Sequence, residues 1–336
     1  MFLRRRTVRA RRRSADERGG MMFHHILVPL DGSSLAERVL MQATALAKAF
    51  GARVTFLRVL EEQWGTCLQP VDPLEWEMCK SEARLYLEGL ATAFQQAGLQ
   101  ADFAMFEGSA AQRIMDYIQS HKVDLTIISS HGRSGLSEWN SGSVISKIIL
   151  RSRVSTLIVR AYLPAPQEGA GFERLMVPLD CSKRAECALA PATALARACN
   201  SRILIAHVVR RPEMPCRTLP TEDDLELANR LIERNQREAR KYFETLRSRM
   251  PGDVHIRLFV DENVSGRLHE LVRDEKIDLV ILSAHGFSGG TKWPYGSVAS
   301  NFILFGTVPL LVVQDLLPEE VEFSEPELSA VQKKGH

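Results

Sequence analysis

Two segments of the 336-residue chain carry the residue types and spacing of a phosphate cradle. In the first, Gly132 is followed after nine residues by Gly142-Ser143-Val144. In the second, Gly286 is followed after nine residues by Gly296-Ser297-Val298. Glycine lets a backbone approach a ligand closely and take conformations closed to other residues. A Gly-Ser pair that opens a helix presents unpaired N–H groups and a partial positive charge, which suits an anion. The Ser143 and Ser297 hydroxyls can donate to a phosphate oxygen or simply cap the helix. A cap accounts for one serine. It does not account for two matched glycines at the same interval in both segments, so phosphate is the favoured reading. A second matched pair, Ile26-Leu-Val-Pro29-Leu-Asp31 and Leu175-Met-Val-Pro178-Leu-Asp180, ends in a carboxylate. Asp31 and Asp180 can accept from a ribose hydroxyl or an adenine amine, or close an Asx turn into the next helix.

Other chemistries find less support. The lysine-bearing G-x-x-x-x-G-K-[ST] loop is absent, which excludes a P-loop NTPase. Gly286-Phe-Ser288-Gly-Gly290 satisfies the G-x-S-x-G nucleophile pattern, but Leu136 replaces the last glycine in the first segment. The only histidine after it is His336, so a hydrolase triad is excluded. His131 and His285 flank the glycines, yet no carboxylate is placed by sequence to orient either as a base, and a structural role is favoured. His24-His25 reads as a chance pair rather than a metal site. The six cysteines (Cys67, Cys79, Cys181, Cys187, Cys199, Cys216) form no C-x-x-C pair and have no counterparts between the segments. They read as thiols of a reducing cytoplasm, with no disulfide framework and no zinc.

The net charge of +2 conceals an asymmetry. Residues 1–20 hold eight arginines against Asp16 and Glu17, a net +6, which leaves −4 for the rest. A mildly acidic body argues against nucleic acid as the main partner. The basic leader, residues 1–21, is an arm for anionic partners, a disordered extension, or sequence ahead of a start at Met21–Met22. No apolar run approaches the roughly 18 residues needed to cross a bilayer.

The paired segments belong to a longer repeat. The Asp31 segment recurs 149 residues on, and Val123-Asp-Leu-Thr-Ile-Ile-Ser129-Ser-His-Gly132 recurs 154 residues on as Ile277-Asp-Leu-Val-Ile-Leu-Ser283-Ala-His-Gly286. Order and spacing both match, so a whole domain is duplicated. In each copy, short runs of Val, Ile, Leu and Phe alternate with helical stretches. The strands fall at about 26–31, 53–60, 101–106, 124–129 and 155–160, then 174–180, 202–209, 254–260, 278–283 and 308–314. One continuous helix is expected over 34–50, after Ser33 and before Gly51. The long charged stretches 74–98 and 221–250 read as helices with solvated faces. This alternation predicts an α/β fold of two tandem doubly wound domains, each a five-stranded parallel sheet, with the order 3-2-1-4-5 if the chain winds one way through strands 1–3 and back through 4–5. The domains span 22–162 and 172–315, joined by a linker at 163–171 and followed by an acidic tail at 316–336. In such a sheet ligands bind where the strand order reverses, between strands 1 and 4, and the loops leaving those strands are the ones that repeat most faithfully.

These residues resemble the universal stress proteins, whose nucleotide-binding members carry G-x-x-G-x9-G-[ST] after strand 4. Here it reads Ser129-Ser-His-Gly132 to Gly142-Ser143, and Ser283-Ala-His-Gly286 to Gly296-Ser297, with serine for the leading glycine in both copies. The resemblance covers nearly all of residues 22–315. It implies the adenine nucleotide alpha hydrolase-like fold and binding of ATP, with or without Mg2+. It implies phosphate contacts from Gly132, Gly142, Ser143, Val144 and from Gly286, Gly296, Ser297, Val298. It implies adenosine contacts from Pro29, Asp31 and Val59, and from Pro178, Asp180 and Val208. If the leading glycine serves a positive φ, serine strains the loop; if it serves close packing, serine is small enough. The family pairs through strand 5, and Thr156-Leu-Ile-Val159 and Val308-Pro-Leu-Leu-Val-Val313 are apolar edges that need cover. Pairing the two copies within one chain covers both, and homodimerisation is a further option. The role implied is a cytoplasmic stress-response sensor or regulator that binds adenine nucleotide and is not an enzyme, slow hydrolysis being incidental. Two alternatives stand beside it: an interaction module of the same family with vestigial or half-occupied sites, and adenylate chemistry of the kind nucleotide-activating synthetases perform, for which no catalytic set exists.

Overall fold

Each apolar run becomes a strand because it is buried on both faces. A computed structural model describes residues 23–61, 72–130, 144–162, 172–212, 221–287 and 295–315. The leader, the linker, the acidic tail, His131, Gly132, Gly142, Ser143, Cys67 and Cys216 lie outside the described residues. The first domain runs β1 (His25–Pro29), α1 (Ser34–Glu37), α2 (Leu40–Phe50), β2 (Arg53–Leu60), α3 (Pro73–Gln96), β3 (Ala101–Glu107), α4 (Ala110–Ser120), β4 (Leu125–Ser129), α5 (Val144–Arg151) and β5 (Ser155–Val159). The second runs β6 (Arg174–Pro178), a 3-10 turn at Ala185–Ala188, α6 (Leu189–Cys199), β7 (Arg202–Arg210), α7 (Glu222–Arg247), β8 (Val254–Asp261), α8 (Val264–Asp274), β9 (Leu279–Ser283), α9 (Ser297–Phe305) and β10 (Leu310–Val313).

The strand order is β3-β2-β1-β4-β5-β10-β9-β6-β7-β8. Each domain therefore has the order 3-2-1-4-5 with parallel neighbours. The two sheets join as one through β5 and β10, which pair antiparallel with Leu310 opposite Ile158, Leu311 opposite Leu157 and Val312 opposite Thr156. The predicted intramolecular pairing of the apolar edges is thus present. One core layer continues across the seam, holding Val39, Ala43 and Leu157 of the first domain with Ala188, Ala192 and Leu311 of the second. Another joins Ile149 and Ile158 to Phe302 and Val312 on the opposite face.

The helix expected over 34–50 is interrupted. Ser33 caps α1, its Oγ accepting from Ala36 N at 3.1 Å, and a turn at Arg38–Val39 separates α1 from α2. The second copy breaks at the same place, where Pro191 lacks the N–H that would continue the turn backward. In α3 and α7 a narrow stripe is buried, Leu87, Ala91 and Phe94 in one and Ala239, Phe243 and Leu246 in the other, with the remaining faces solvated.

Residues just beyond β5 tie the seam to the second domain's last helix. Arg160 is 3% exposed, and its Nη2 donates to the carbonyls of Phe302 at 2.6 Å and Ile303 at 3.0 Å. Tyr162 Oη donates to Gly306 O at 2.9 Å, and in return Tyr295 Oη donates to Ile149 O in α5 at 2.7 Å. A guanidinium at a helix C-terminus serves the carbonyls that have no partner within the helix and complements the helix dipole. Arg160→Ala strips this donor from Ile303 O, leaves Phe302 O with only the Gly306 N–H at 2.9 Å, and opens a void, so it should lower the unfolding free energy by about 2–4 kcal/mol. Denaturant melts of the full chain measure this, and an unchanged midpoint would show the cross-domain cap to be dispensable.

Candidate functional site

Strands β1 and β4 are neighbours in the first sheet, as β6 and β9 are in the second, and the chain leaves each pair in opposite directions. That is the switch point where an open parallel sheet forms a crevice. In the second domain Pro178, Asp180, Val208, Gly286, Gly296, Ser297 and Val298 all line one cleft of about 120 Å³, together with His207 and His285. The backbone brings them there. Leu179 N donates to Ala206 O at 2.9 Å, holding the exit of β6 beside β7, and Gly296 N donates to Ala284 O at 2.8 Å, returning the loop to the exit of β9. Gly296 is the N-cap of α9 and carries no side-chain cap, and Ser297 is the first helical residue and exposed. Ser297 therefore does not serve as the cap.

Both strand-end aspartates close Asx turns. Asp31 Oδ1 accepts from Ser33 N at 2.9 Å, and Asp180 Oδ1 accepts from Ser182 N at 3.0 Å. Asp180 does more: its Oδ2 accepts from Phe287 N at 2.5 Å, bolting the exit of β6 to the loop after β9. A Cβ on Gly286 would stand 2.1 Å from that oxygen, so only glycine admits the contact. The cleft is small beside the roughly 300 Å³ at the lower end of ligand pockets, so a nucleotide would fill it in part and lie across its open face.

The serines that replace the leading glycines carry no strain. Ser129 and Ser283 end β4 and β9, and neither has a positive φ. Their hydroxyls tie the loops, Ser129 Oγ donating to Leu35 O at 2.9 Å and Ser283 Oγ to His285 O at 2.6 Å. The position therefore does not depend on glycine's backbone freedom.

In the first domain Val59 and Val144 flank one apolar cluster built on Leu27, Leu57 and Ile148. Pro29 ends β1, and Asp31 follows it. The mouths of the two sites differ. Gly32 takes φ +78°, and the Arg58 guanidinium lies 2.9 Å from where its Cβ would stand. The matching residues of the second domain are Cys181, at φ +65°, and His207, whose Nδ1 lies 2.7 Å from Leu179 O. Burial pulls the His207 pKa below its ordinary value and pushes the Cys181 thiol up to about 11. The first mouth thus carries a cation and the second a neutral pair near pH 7.

A residue the sequence reading missed also reaches the second site. His285 Nδ1 lies 2.9 Å from Asp315 Oδ1, so a carboxylate does orient this histidine, contrary to expectation. Asp315 follows strand 5, whose parallel neighbour carries the His285 loop, and that adjacency was the available signal. His25 has a structural place, 2% exposed with Nε2 at 2.8 Å from Thr55 Oγ1. A second cavity, about 720 Å³, lies among Arg174, Arg202 and Asp253 where strands begin rather than end, and Arg202 is paired there with Asp253 at 2.9 Å. It is remote from the switch point. No group of three or more metal-ligating side chains gathers among the described residues. No helix among them is long and apolar enough to cross a membrane.

Two doubly wound parallel domains, joined edge to edge and each reversing its strand order between its first and fourth strands, define a tandem α/β protein of the adenine nucleotide alpha hydrolase-like fold. The sequence model of the universal stress protein family matches residues 22–160 and again 171–314, and the chain belongs to that family. The universal stress protein YxiE of Bacillus subtilis is 32% identical over 149 residues, covering 41% of this chain and all of that protein. The universal stress protein MJ0531 of Methanocaldococcus jannaschii is 26% identical over 144 residues, 42% of this chain and 85% of that protein. Among solved structures, a universal stress protein from Archaeoglobus fulgidus superposes with a TM-score of 0.61 at 18% identity, covering 88% of this chain and 100% of that one. A Pseudomonas aeruginosa protein described as functionally unknown gives 0.61 at 12% identity, covering 93% and 98%. Both show the same fold.

Two substitutions probe the local geometry. Cys181→Gly relieves a left-handed residue and should raise stability by up to about 1 kcal/mol. Gly286→Ala must push the Asp180 carboxylate off Phe287 N and should cost about 1–3 kcal/mol. Calorimetry on the two variants decides both, and equal melting temperatures would contradict the geometry described.

Proposed function

We propose that this protein binds ATP or another adenine nucleotide and acts as a cytoplasmic stress-response regulator through occupancy of its sites. The observation that carries the reading is the second-domain cleft, where the uncapped start of α9 at Gly296-Ser297 faces Pro178, Asp180 and Val208 across the switch point. Phosphate oxygens would accept from the free N–H groups of α9 and from Ser297 Oγ. The adenosine would lie against Pro178 and Val208, with a ribose hydroxyl donating to a remaining lone pair of Asp180. In the first domain Gly132, Gly142, Ser143 and Val144 would take the phosphates and Pro29, Asp31 and Val59 the adenosine, with Arg58 adding a cation at the mouth. With no protein cage for it among the described residues, Mg2+ would ride on the phosphates and water. The proposed role is binding rather than turnover.

One observation favours a narrower reading in which only the first domain is occupied. Asp180 Oδ2 in the second cleft is already engaged by Phe287 N, and the mouth carries Cys181 and His207 in place of Gly32 and Arg58. Calorimetric titration with ATP separates the two. Gly296→Asp suits the experiment because a Cβ there meets nothing closer than 3.5 Å, aspartate is a good N-cap, and its charge repels phosphate. The wild type should show two binding events, Gly142→Asp and Gly296→Asp one each, and the double variant none. A single event that survives Gly296→Asp selects the half-site reading. No binding at millimolar ATP would sink the proposal and leave an interaction module.

A further inference from the structure

We propose that Asp315 and Arg184 are positioning residues of the second domain's nucleotide site, acting through His285 to hold the phosphate loop against the exit of β6. The proposal rests on the nucleotide reading of that site. Three elements meet at a buried carboxylate. Asp315, two residues beyond β10, has a side chain only 2% exposed. Its Oδ1 lies 2.9 Å from His285 Nδ1, and the His285 side chain is 1% exposed. Its Oδ2 lies 3.2 Å from Arg184 Nε, close enough for charge attraction but not aligned as a hydrogen bond. Cys187 is a further titratable group beside it among the described residues, its thiol pushed up to about 12 by burial and by the Asp315 charge.

A buried carboxylate is costly unless it is paired, so Asp315 depends on its two neighbours. The neighbours sit on the two loops that build the cleft. Arg184 lies four residues beyond Asp180 on the turn leaving β6, and His285 immediately precedes Gly286 on the loop leaving β9. Gly286 in turn packs on Asp180 Oδ2. The cluster therefore sets the distance between the segment proposed to hold adenosine and the segment proposed to hold phosphate.

Among the described residues, the first domain makes its joints here through neutral groups. Arg184 matches Leu35 in the Asp31 repeat, and Asp315 matches Ala161, since Ser130 N–Val159 O and Ala284 N–Val313 O are equivalent contacts. Ser129 Oγ donates to Leu35 O at 2.9 Å, and Ala161 N donates to Ser130 Oγ at 3.0 Å. Neutral hydrogen bonds thus bridge the loops of the first site, and an ionic cluster bridges those of the second.

Calorimetry with ATP in a Gly142→Asp background, which blocks the first site, tests the proposal on the full chain. Asp315→Asn keeps the shape and removes the charge, and should weaken the second site by about tenfold, the scale typical of lost orienting contacts. The double variant Arg184→Leu/Asp315→Ala writes the first domain's residues into the second and strands no buried charge. It should melt close to the parent yet show the same loss of affinity. If the double variant melts like the parent and binds like the parent, the cluster serves folding alone and the proposal is wrong. An Asp315→Asn protein with undiminished affinity overturns it equally. If the Gly142→Asp parent binds no ATP while the Gly296→Asp protein does, the nucleotide reading of the second site has failed and takes this proposal with it.

Discussion

The pairing of β5 with β10 is the constraint on which the rest of the structure depends. Each domain alone would end in a strand whose inner residues, such as Leu157 and Leu311, have no exposed surface in the joined sheet. An apolar edge of that kind cannot stand in water with its backbone groups unpaired. Joining the copies antiparallel satisfies the backbone and lets both core layers run through the seam. The duplication thus has a structural consequence, because each copy supplies, within one chain, the neighbour that the other's edge strand needs.

The seam also explains where the unusual polar residues fall. A chain leaving β5 or β10 emerges at the carboxyl end of the sheet, beside the last helix of the other copy and the switch-point loop of its own. Arg160 and Tyr162 leave β5 and cap α9. Asp315 leaves β10 and meets His285 and Arg184. Buried charges appear where helix-terminal carbonyls or loop joints need a partner that the apolar core cannot supply.

Within this shared frame the copies have diverged at joints rather than in architecture. Gly32 faces Arg58 where Cys181 faces His207, and Leu35 and Ala161 stand where Arg184 and Asp315 do. None of these exchanges interrupts a strand: Arg58 and His207 stand within β2 and β7, whose pairing is the same in both copies, and the others lie where the chain leaves the sheet. Turns are where a doubly wound fold can vary its chemistry while its core stays fixed. One mouth is consequently cationic and hydroxyl-tied, and the other is neutral and ionically tied.

The sequence by itself determined the repeat, the alternation of strands and helices and the matched glycines, because these follow from local patterns, while the strand order and several cleft-lining residues were expected through the family resemblance. Buried strands read as apolar runs, and the glycine spacing places Gly286 and Gly296 in one cleft once the order 3-2-1-4-5 is known. Only the tertiary structure decided how those residues are used. It showed Asp180 engaged by Phe287 N across 107 positions, Arg160 capping a helix 142 positions away, and Asp315 orienting His285. It also showed that Ser129 and Ser283 sit in unstrained strand ends and that α1 and α2 are separate. Such contacts join residues through burial and loop closure in three dimensions. Periodicity and spacing carry no record of which side chains meet where strands from distant parts of the chain end side by side.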